Sequence, residues 1–232
     1  MEIDGKVNEA IATAPNFSTT RFYIHVKPGT YREINEVPSE KTFIALIGDD
    51  ASTTIIVNNQ SNGTRSSTAS SATLKNFMAQ FLISQNSAGP NEGQAIAVLD
   101  QAKHTAYYKC VFLGYQDTLY AGSISQFFKE CDIYRTVDFV FNLGAPNDFI
   151  FQNCNVTASP EITSSKDKVT VFIGQPWKYN NSGGGANTSQ RVNWPGYSVL
   201  DNAREVATFS VKMFINGTQW LPQTGIPFSA GF

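Results

Sequence analysis

The chain has 232 residues and a formal net charge of −2, with 17 Lys and Arg residues against 19 Asp and Glu residues. This length suits one domain over residues 1–232 and is enough to bury a sizeable core. The basic residues are dispersed along the sequence, so it lacks the basic clusters that are typical of nucleic-acid-binding proteins. The apolar runs are too short to span a bilayer, and the opening Met-Glu-Ile-Asp-Gly predicts no signal peptide.

The first part of the chain predicts one helix followed by short strands. Apolar residues at helical spacing predict a helix from Val7 to Ala14, which Pro15 ends. Lys27–Tyr31 is typical of a turn, and the polar stretch Asn58–Ser71 indicates a surface excursion. The predicted strands, each apolar or alternating, are Arg21–Val26, Thr42–Ile47 and Thr53–Val57.

Four short segments repeat an apolar, variable, apolar pattern in the middle of the chain. The steps between them are 29, 21 and 23 residues, with Gly, Asn, Asp and Ser turn residues between them. A repeat of about 20–25 residues with short strands and no helical period predicts a stacked solenoid. The fold class is therefore all-β, a right-handed parallel β-helix with short N-terminal and C-terminal helices. The segments are Phe81–Ile83, Cys110–Phe112, Cys131–Ile133 and Cys154–Val156.

The three cysteines fall at equivalent places of this repeat. Cys110, Cys131 and Cys154 would therefore stack as a ladder on one inner wall. Small buried packing residues are the favoured interpretation, because free cysteine is among the most buried residue types. A disulfide between Cys110 and Cys131 stays open, since ladder spacing alone does not set the bond geometry.

The C-terminal part predicts a closing element. Val169–Ile173 predicts a strand, and Asn202 followed by Glu205 forms a capping box for a helix. The apolar face of that helix would cover an open end of the solenoid. The apolar tail Trp220–Phe232 is expected along the outside of the solenoid. The residues of the apolar helix face are Val206, Phe209, Met213 and Phe214.

Two aspartates follow the same spacing as the cysteines. Asp117 and Asp138 lie 21 residues apart, each seven residues after a cysteine, so they should be neighbours on adjacent coils. Asp138 lies in the apolar segment Thr136–Phe141, where an unpaired carboxylate is costly. Two such close carboxyl groups cannot ionise independently, and one pKa should rise. The pair can therefore serve acid–base or nucleophilic catalysis, although a structural pair shows the same perturbation.

Amide side chains accompany this pair. Gln116 adjoins Asp117, and Gln94 lies on the preceding coil, so both amides could donate hydrogen bonds to a developing oxyanion. The two histidines, His25 in a predicted strand and His104 in a polar turn, lack a triad pattern and are expected to be structural.

The motifs around these residues resemble those of pectin methylesterases, especially the plant enzymes. The similarity extends over nearly the whole chain, and the family fold that it implies is again a right-handed parallel β-helix. It implies the hydrolysis of methyl esters of polygalacturonate with release of methanol, and requires no cofactor. The matching segments are Lys27–Glu33, Gly89–Ala95, Gly114–Tyr120, Thr136–Phe141, Arg191–Tyr197 and Trp220–Gly225.

The resemblance also implies roles for individual residues. Asp138 would be the nucleophile, and Asp117 would protonate the leaving methanol and then activate water. Gln94 and Gln116 would stabilise the tetrahedral oxyanion. The residues that would contact or line the substrate groove are Thr68, Tyr120, Phe139, Gln175 and Trp177.

The chain departs from the family at Gln175, where the family motif Gly-Arg-Pro-Trp has arginine. The arginine would pair with the nucleophile, and an opposite charge lowers an Asp pKa by about 1–3 units. Ala69 also replaces a usual aromatic residue, and segments are missing between Asn155 and Val169 and between Trp177 and Arg191. The alternative function is therefore a catalytically weak β-helix that binds pectin or a protein partner through the same groove.

The resemblance implies an environment and partners. We expect an extracellular, cell-wall protein that acts as a monomer on methyl-esterified pectin. A proteinaceous inhibitor is the expected protein partner, and neither nucleic acid nor a membrane is expected to bind.

Overall fold

The structure, a computed structural model, describes residues 1–61, 70–71, 76–135, 140–141, 148–158, 177–178, 198–199 and 203–231. Within these residues, the strand pairs that form the sheets are parallel, and each pair joins one coil to the next. The helices are short. This arrangement confirms the predicted parallel β-helix.

Three parallel sheets form the walls of the solenoid in the described part of the chain. The first sheet contains β1 (Glu2–Ile3), β2 (Phe22–Val26), β4 (Ile44–Gly48), β7 (Met78–Gln80), β10 (Thr105–Tyr108), β13 (Gln126–Lys129) and β16 (Phe149–Gln152). The second contains β3 (Gly29–Arg32), β5 (Thr54–Asn58), β8 (Ile83–Asn86), β11 (Val111–Leu113), β14 (Asp132–Arg135) and β17 (Asn155–Ala158). The third contains β6 (Ser70–Ser71), β9 (Val98–Asp100), β12 (Leu119–Ala121) and β15 (Val140–Phe141), and β18 (Trp177–Lys178) pairs with β19 (Ser198–Val199).

The strand register shows that the first copy of the predicted repeat, Phe81–Ile83, was aligned one residue too early. Val111 pairs with Ile83, which sets Cys110 opposite Leu82 and not opposite Phe81. Leu82 is buried, whereas Phe81 has a positive φ of 56° and packs edge-on against Tyr108. Phe81 is thus the left-handed corner residue of its coil. Because Phe81 and Leu82 are both apolar, hydrophobicity alone could not distinguish the corner from the strand.

The cysteine ladder lies in the core, as predicted. Cys110 and Cys131 are buried, Cys154 is half-buried, and all three are free thiols. The Cys131 amide donates a hydrogen bond to Cys154 Sγ at 3.3 Å, and burial raises the pKa of the Cys131 thiol well above its ordinary value. These residues therefore pack as small apolar side chains.

Helix α1 (Val7–Thr13) closes the N-terminal part of the core, where Val7, Ala10 and Ile11 are buried. Glu33 caps its first turn by accepting hydrogen bonds from the amides of Val7 at 2.7 Å and of Asn8 at 3.2 Å. This contact gives the glutamate of the Lys27–Glu33 motif a structural role. The turn predicted over Lys27–Tyr31 is wrong in its second half, because β3 begins at Gly29 and pairs with β5.

The C-terminal segment packs on the outer face of the first sheet. It contains α2 (Ala203–Val206), a 3₁₀ turn over Ala207–Phe209, α3 (Gly217–Trp220) and a second 3₁₀ turn over Leu221–Thr224. The predicted tail position is confirmed, because this segment shares a buried cluster with outward-facing strand residues. The members of that cluster are Ala45, Met78, Ala106, Phe127, Val211, Ile215, Trp220, Leu221 and Ile226.

The helix predicted after Asn202 does begin at Ala203, but its predicted extent to Phe214 is wrong. Phe214 packs on the outer face of the first sheet and not at an open end of the solenoid. The helical turns stop at Phe209, and Ser210 has extended backbone with φ −70° and ψ 160°. Met213 is 64% exposed, while Val211 and Ile215 are buried against the sheet. Packing on this outer wall therefore determines which residues are buried. Among the described residues, every helix falls short of the length and apolar character that a membrane crossing requires.

A fully buried carboxyl group, Asp100, joins two coils at the end of β9. Its carboxylate accepts hydrogen bonds from the Ala102 amide at 2.9 Å, Thr105 Oγ1 at 2.6 Å and Tyr107 OH at 3.1 Å. Gln126 Nε2, on the next coil, donates to the Asp100 backbone carbonyl at 3.1 Å. Burial nevertheless outweighs these bonds and raises the pKa of Asp100 to about 6.

We expect Asp100 to make stability depend on pH. Because its pKa in the folded protein lies above the unfolded value of about 3.9, its contribution is full below about pH 4 and is lost as pH rises through about 6. The loss should be on the order of 3 kcal/mol. Asp100→Asn should remove this part of the pH dependence of the free energy of unfolding, measured by denaturant titration between pH 4 and 7. If the free energy of unfolding changed between pH 4 and 7 by as much in the variant as in the unmodified chain, Asp100 would not be the source of this pH dependence.

Candidate active site

Asp117 lies in the tight turn that joins β11 to β12. Its backbone is left-handed, with φ 60°, and the residue is 1% exposed. Gly114 begins this turn, and a Cβ at that position would lie 2.7 Å from Thr118 Oγ1. Aspartate adopts this conformation more readily than most residues, and coil corners such as Phe81 adopt it as well. The turn thus holds a buried carboxyl group in a well-packed position.

The register of the third sheet relates this turn to the next coil. Leu119 of β12 pairs with Val140 of β15. In the sequence, Asp117 precedes Leu119 by two positions, and Asp138 precedes Val140 by two positions. Asp138 itself lies outside the described residues, so its place beside Asp117 stays a prediction.

Gln94 and Gln116 are brought together by the ladder between adjacent coils. The Ala95 amide donates to the Gln116 carbonyl at 3.0 Å, which in a parallel ladder sets Gln94 opposite Gln116. Gln94 is exposed and Gln116 is half-buried. Two amide side chains therefore begin from neighbouring backbone positions, directly before the buried Asp117.

A β-bulge produces this alignment. Thr118 carbonyl oxygen accepts from both the Ala97 amide at 2.9 Å and the Val98 amide at 3.1 Å. Two residues of one strand thus oppose one residue of its neighbour, and the register shifts by one position. After the bulge Val98 pairs with Leu119. Without it, Gln94 would lie opposite Tyr115 and not opposite Gln116.

Tyr120, predicted to flank the groove, is half-exposed in β12. Its ring lies directly over Gly122, where a Cβ would be only 2.1 Å from a ring carbon. Only glycine permits this close approach, so Gly122 leaves room for the Tyr120 ring at this position.

Gly122→Ala should displace the Tyr120 ring. For the groove position that the resemblance implies for Tyr120, we expect KM for methylated pectin to rise about 3–10-fold with kcat nearly unchanged, as for a lost contact of about 1 kcal/mol. Steady-state methanol release over a range of pectin concentrations measures this. The exposed Gly5→Ala, whose Cβ would meet nothing within 4 Å, is the matched control. A KM equal to that of the unmodified chain would show that Tyr120 does not contact the substrate.

The remaining predicted site residues have side chains outside the described part of the chain. Thr68, Phe139 and Gln175 lie outside the described residues, as Asp138 does. Trp177 is described only in its backbone, which pairs with Ser198. Their predicted roles stay predictions.

The histidines take part in surface and packing contacts. His25 Nε2 lies 2.5 Å from Asp49 Oδ1, a contact that the sequence pattern did not indicate. His104 has a positive φ of 59° and stacks on Trp220 with 5.2 Å between ring centroids. Among the described side chains, no group of three or more His, Cys, Asp and Glu residues is arranged to hold a metal ion.

Sequence reasoning missed Asn86, the residue that ties the loop carrying Gln94 to the preceding coil. Asn86 ends β8 opposite Asn58, which ends β5, and its side chain is buried. The only available signal was the asparagine that recurs at two successive strand ends.

Comparison with known proteins identifies the family. The Pectinesterase family model matches residues 4–171 and 177–218, so the chain belongs to the pectinesterase family. A probable pectinesterase/pectinesterase inhibitor 39 of Arabidopsis thaliana is 34% identical over 298 residues, covering 97% of this chain and 56% of the relative. Pectinesterase 2 of Citrus sinensis is 33% identical over 296 residues, covering 97% of this chain and 58% of the relative.

A solved structure supports the fold. The pectin methylesterase from carrot has 28% sequence identity and a TM-score of 0.84, covering 100% of this chain and 97% of that chain.

The chain is shorter than these relatives in two respects. It spans about half the length of the curated relatives that it matches. Moreover, the alignment to the Arabidopsis relative has 298 positions against 232 residues in the chain, so at least 66 aligned positions (298 − 232) are gaps in the chain. This agrees with the expectation that internal segments are missing.

Proposed function

We propose that the chain is a carboxylic ester hydrolase that removes methyl esters from pectin and releases methanol. The observation that carries the proposal is the alignment of Gln94 with Gln116 on adjacent coils, directly before the buried Asp117. Membership of the pectinesterase family supports the same reaction.

The proposed reaction uses Asp138 as the nucleophile. Its carboxylate attacks the ester carbonyl carbon, and the oxyanion that forms accepts hydrogen bonds from the Gln94 and Gln116 amides. Asp117 donates its proton to the methoxy oxygen as the carbon–oxygen bond breaks, so methanol leaves and an acyl-enzyme anhydride remains. Asp117 then takes a proton from a water molecule that attacks the anhydride. The products are a galacturonic acid carboxyl group, which then releases its proton to the solvent, and the regenerated pair of protonated Asp117 and ionised Asp138.

The burial of Asp117 supports its proposed role as the proton carrier. The Asp117 side chain is 1% exposed, so it is shielded from bulk water. The well-packed turn holds the group in one position, so little reorganisation is needed during proton transfer.

The substrate, partners and location follow from the same proposal. Methyl-esterified pectin would lie along the third sheet, flanked by Tyr120 and by the predicted contacts Thr68, Phe139, Gln175 and Trp177. We propose that the protein acts as an extracellular monomer in the cell wall, with a proteinaceous inhibitor as its protein partner.

The second candidate is a β-helix that binds pectin or a protein partner with little or no turnover. Two observations favour it: Gln175 in place of the family arginine, and the alignment positions that the chain lacks. Without the guanidinium charge, Asp138 would be less readily ionised.

The test is methanol release from methylated pectin by the purified chain and three variants. The unmodified chain should release methanol, Asp138→Ala should not, and Gln175→Arg should release it faster. Asp4→Asn, an exposed acid away from the site, controls for a general effect of removing charge. Release that persists in Asp138→Ala refutes the nucleophile. Pectin binding without release by the unmodified chain favours the second candidate.

A further inference from the structure

The carboxamide of Asn86 joins both ends of one loop. The loop comprises residues 87–96, here named the Gln94 loop, and Asn86 is 1% exposed at its base. Asn86 Oδ1 accepts a hydrogen bond from the Ala88 amide at 3.0 Å, at the start of the loop. Asn86 Nδ2 donates to the Ile96 carbonyl at 3.0 Å, at the end of the loop. One side chain therefore closes the loop.

The same amide group anchors the loop to the preceding coil. Asn86 Nδ2 also contacts the Gln60 carbonyl at 2.7 Å and Asn58 Oδ1 at 3.1 Å. Asn58 Oδ1 in turn accepts from the Gln60 amide at 3.1 Å, and the Asn58 carbonyl accepts from the Ser87 amide at 2.8 Å. The base of the loop is thus attached to a strand that is already fixed in the sheet.

The opposite side of the loop is attached to the candidate active site. Ala95, which follows Gln94, donates its amide hydrogen to the Gln116 carbonyl at 3.0 Å. Ile96, the next residue, is the one whose carbonyl Asn86 holds. Gln94 is therefore adjacent to a two-residue segment held from the preceding coil and from the following coil. Loss of either attachment leaves the exposed Gln94 free to move away from Gln116.

The chemistry of the contacts requires an amide at position 86. Three acceptor oxygens surround Nδ2, and one N–H donor faces Oδ1. A carboxylate would meet the three oxygens with its own negative charge, and an apolar side chain would take from the Ala88 amide and from the Gln60 and Ile96 carbonyls the partner that Asn86 supplies. An unsatisfied buried polar group costs about 1–3 kcal/mol. The surroundings are therefore specific for a neutral group with a donor at one end and an acceptor at the other.

We propose that Asn86 is a positioning residue that holds the Gln94 loop so that the Gln94 amide stays beside that of Gln116 at the oxyanion position. The catalytic part of this inference rests on the proposed function. Asn86 is buried and does not touch the substrate, so it acts through Gln94 alone. Its loss should lower the rate of the chemical step and leave substrate binding nearly unchanged.

The first measurement does not depend on activity. Hydrogen exchange of the amides of residues 88–97 should become at least about 10-fold faster in Asn86→Ala, since an opening free energy lower by about 1.4 kcal/mol gives that factor. Gln126→Ala is the matched control, because Gln126 is also a buried amide that bonds to backbone carbonyls, those of Asp100 and Ala102, outside the loop. It should leave exchange in the loop unchanged. Unchanged exchange in Asn86→Ala would overturn the proposal. Asn86→Ser, a milder change, replaces Asn86→Ala if the latter does not fold.

The second measurement separates positioning from a general loss of stability. Asn86→Ala should lower kcat about 10–100-fold with KM within about twofold, as expected for a displaced oxyanion donor. In a Gln94→Ala background, Asn86→Ala should have little further effect on kcat, because the two residues act as a unit. Multiplicative effects of the two substitutions, or an unchanged kcat in Asn86→Ala, would overturn the positioning role. If the unmodified chain releases no methanol, the proposed function fails, while the exchange result still decides whether Asn86 holds the loop.

Discussion

Asp117→Asn is expected to lower methanol release from methylated pectin by about 10²–10⁴-fold, the range that a positioned general acid–base contributes. The amide has nearly the same shape, and asparagine tolerates the left-handed backbone that Asp117 adopts with φ 60°. The stability of the variant should therefore stay close to that of the unmodified chain. What it loses is the proton that must reach the leaving methoxy oxygen.

The control for this prediction is the melting temperature measured on the same samples. A shift of less than about 3 °C, which corresponds to roughly 1 kcal/mol, would show that the loss of activity is chemical. Methanol release within twofold of the unmodified rate would mean that Asp117 neither donates nor accepts a proton in the slow step. The acid–base role would then have to be assigned to another group.

Phe128→Ala is expected to have the largest effect on stability. Phe128 is buried in an aromatic stack that crosses three coils, with its ring centroid 4.9 Å from that of Tyr107 and 4.8 Å from that of Phe151. Strand register produces the stack, since Tyr107 pairs with Phe128 and Phe128 pairs with Phe151. Removing the ring should cost about 3–5 kcal/mol, because the neighbouring coils cannot collapse into the cavity.

Denaturant titration of the two proteins measures this cost. Phe17→Ala is the control, because Phe17 is 74% exposed and its substitution should change the free energy of unfolding by no more than about 0.5 kcal/mol. If both variants changed the free energy of unfolding by the same small amount, the aromatic stack would contribute little to stability. A large change confined to Phe128 supports a core whose stability is shared between adjacent coils.

Predicting the repeat from the sequence succeeded where inward-facing residues differ chemically from their neighbours. Cys110 and Cys131 marked one wall and placed their strands in the correct register. Phe81 and Leu82 did not differ in polarity, so the first copy was misaligned by one residue. Phe81 differs from Leu82 in having a left-handed backbone at the corner of the coil, and the polarity of Phe81 does not indicate this. The polarity pattern therefore predicts that a coil exists, whereas the backbone conformation determines which residue forms its corner.

The C-terminal segment shows why a local pattern was not enough. Asn202 and Glu205 make a good capping pair in the sequence, but the helical turns end at Phe209. The outer face of the first sheet offers apolar surface at Met78 and Phe127, and the chain turns to bury Val211 and Ile215 against it. This tertiary burial outweighs the modest helix propensity of a short segment.

The candidate site was predictable only in part. The equal spacing of Asp117 and Asp138 from the cysteines indicated adjacent coils, and Gln94 was assigned to the coil before Gln116. The bulge at Ala97 and Val98, which sets the two glutamines opposite each other, has no signature in the sequence. The same is true of Asn86, because its partners on the preceding coil, the Gln60 carbonyl and Asn58 Oδ1, lie 26 and 28 residues away in the sequence.

The most direct test of the central claim is the release of methanol when the unmodified chain is mixed with methyl-esterified pectin. The proposed function predicts continuous release over many turnovers, with one new carboxylate on the polymer for each methanol. Retention of pectin by the chain with no methanol above the no-protein control would contradict it.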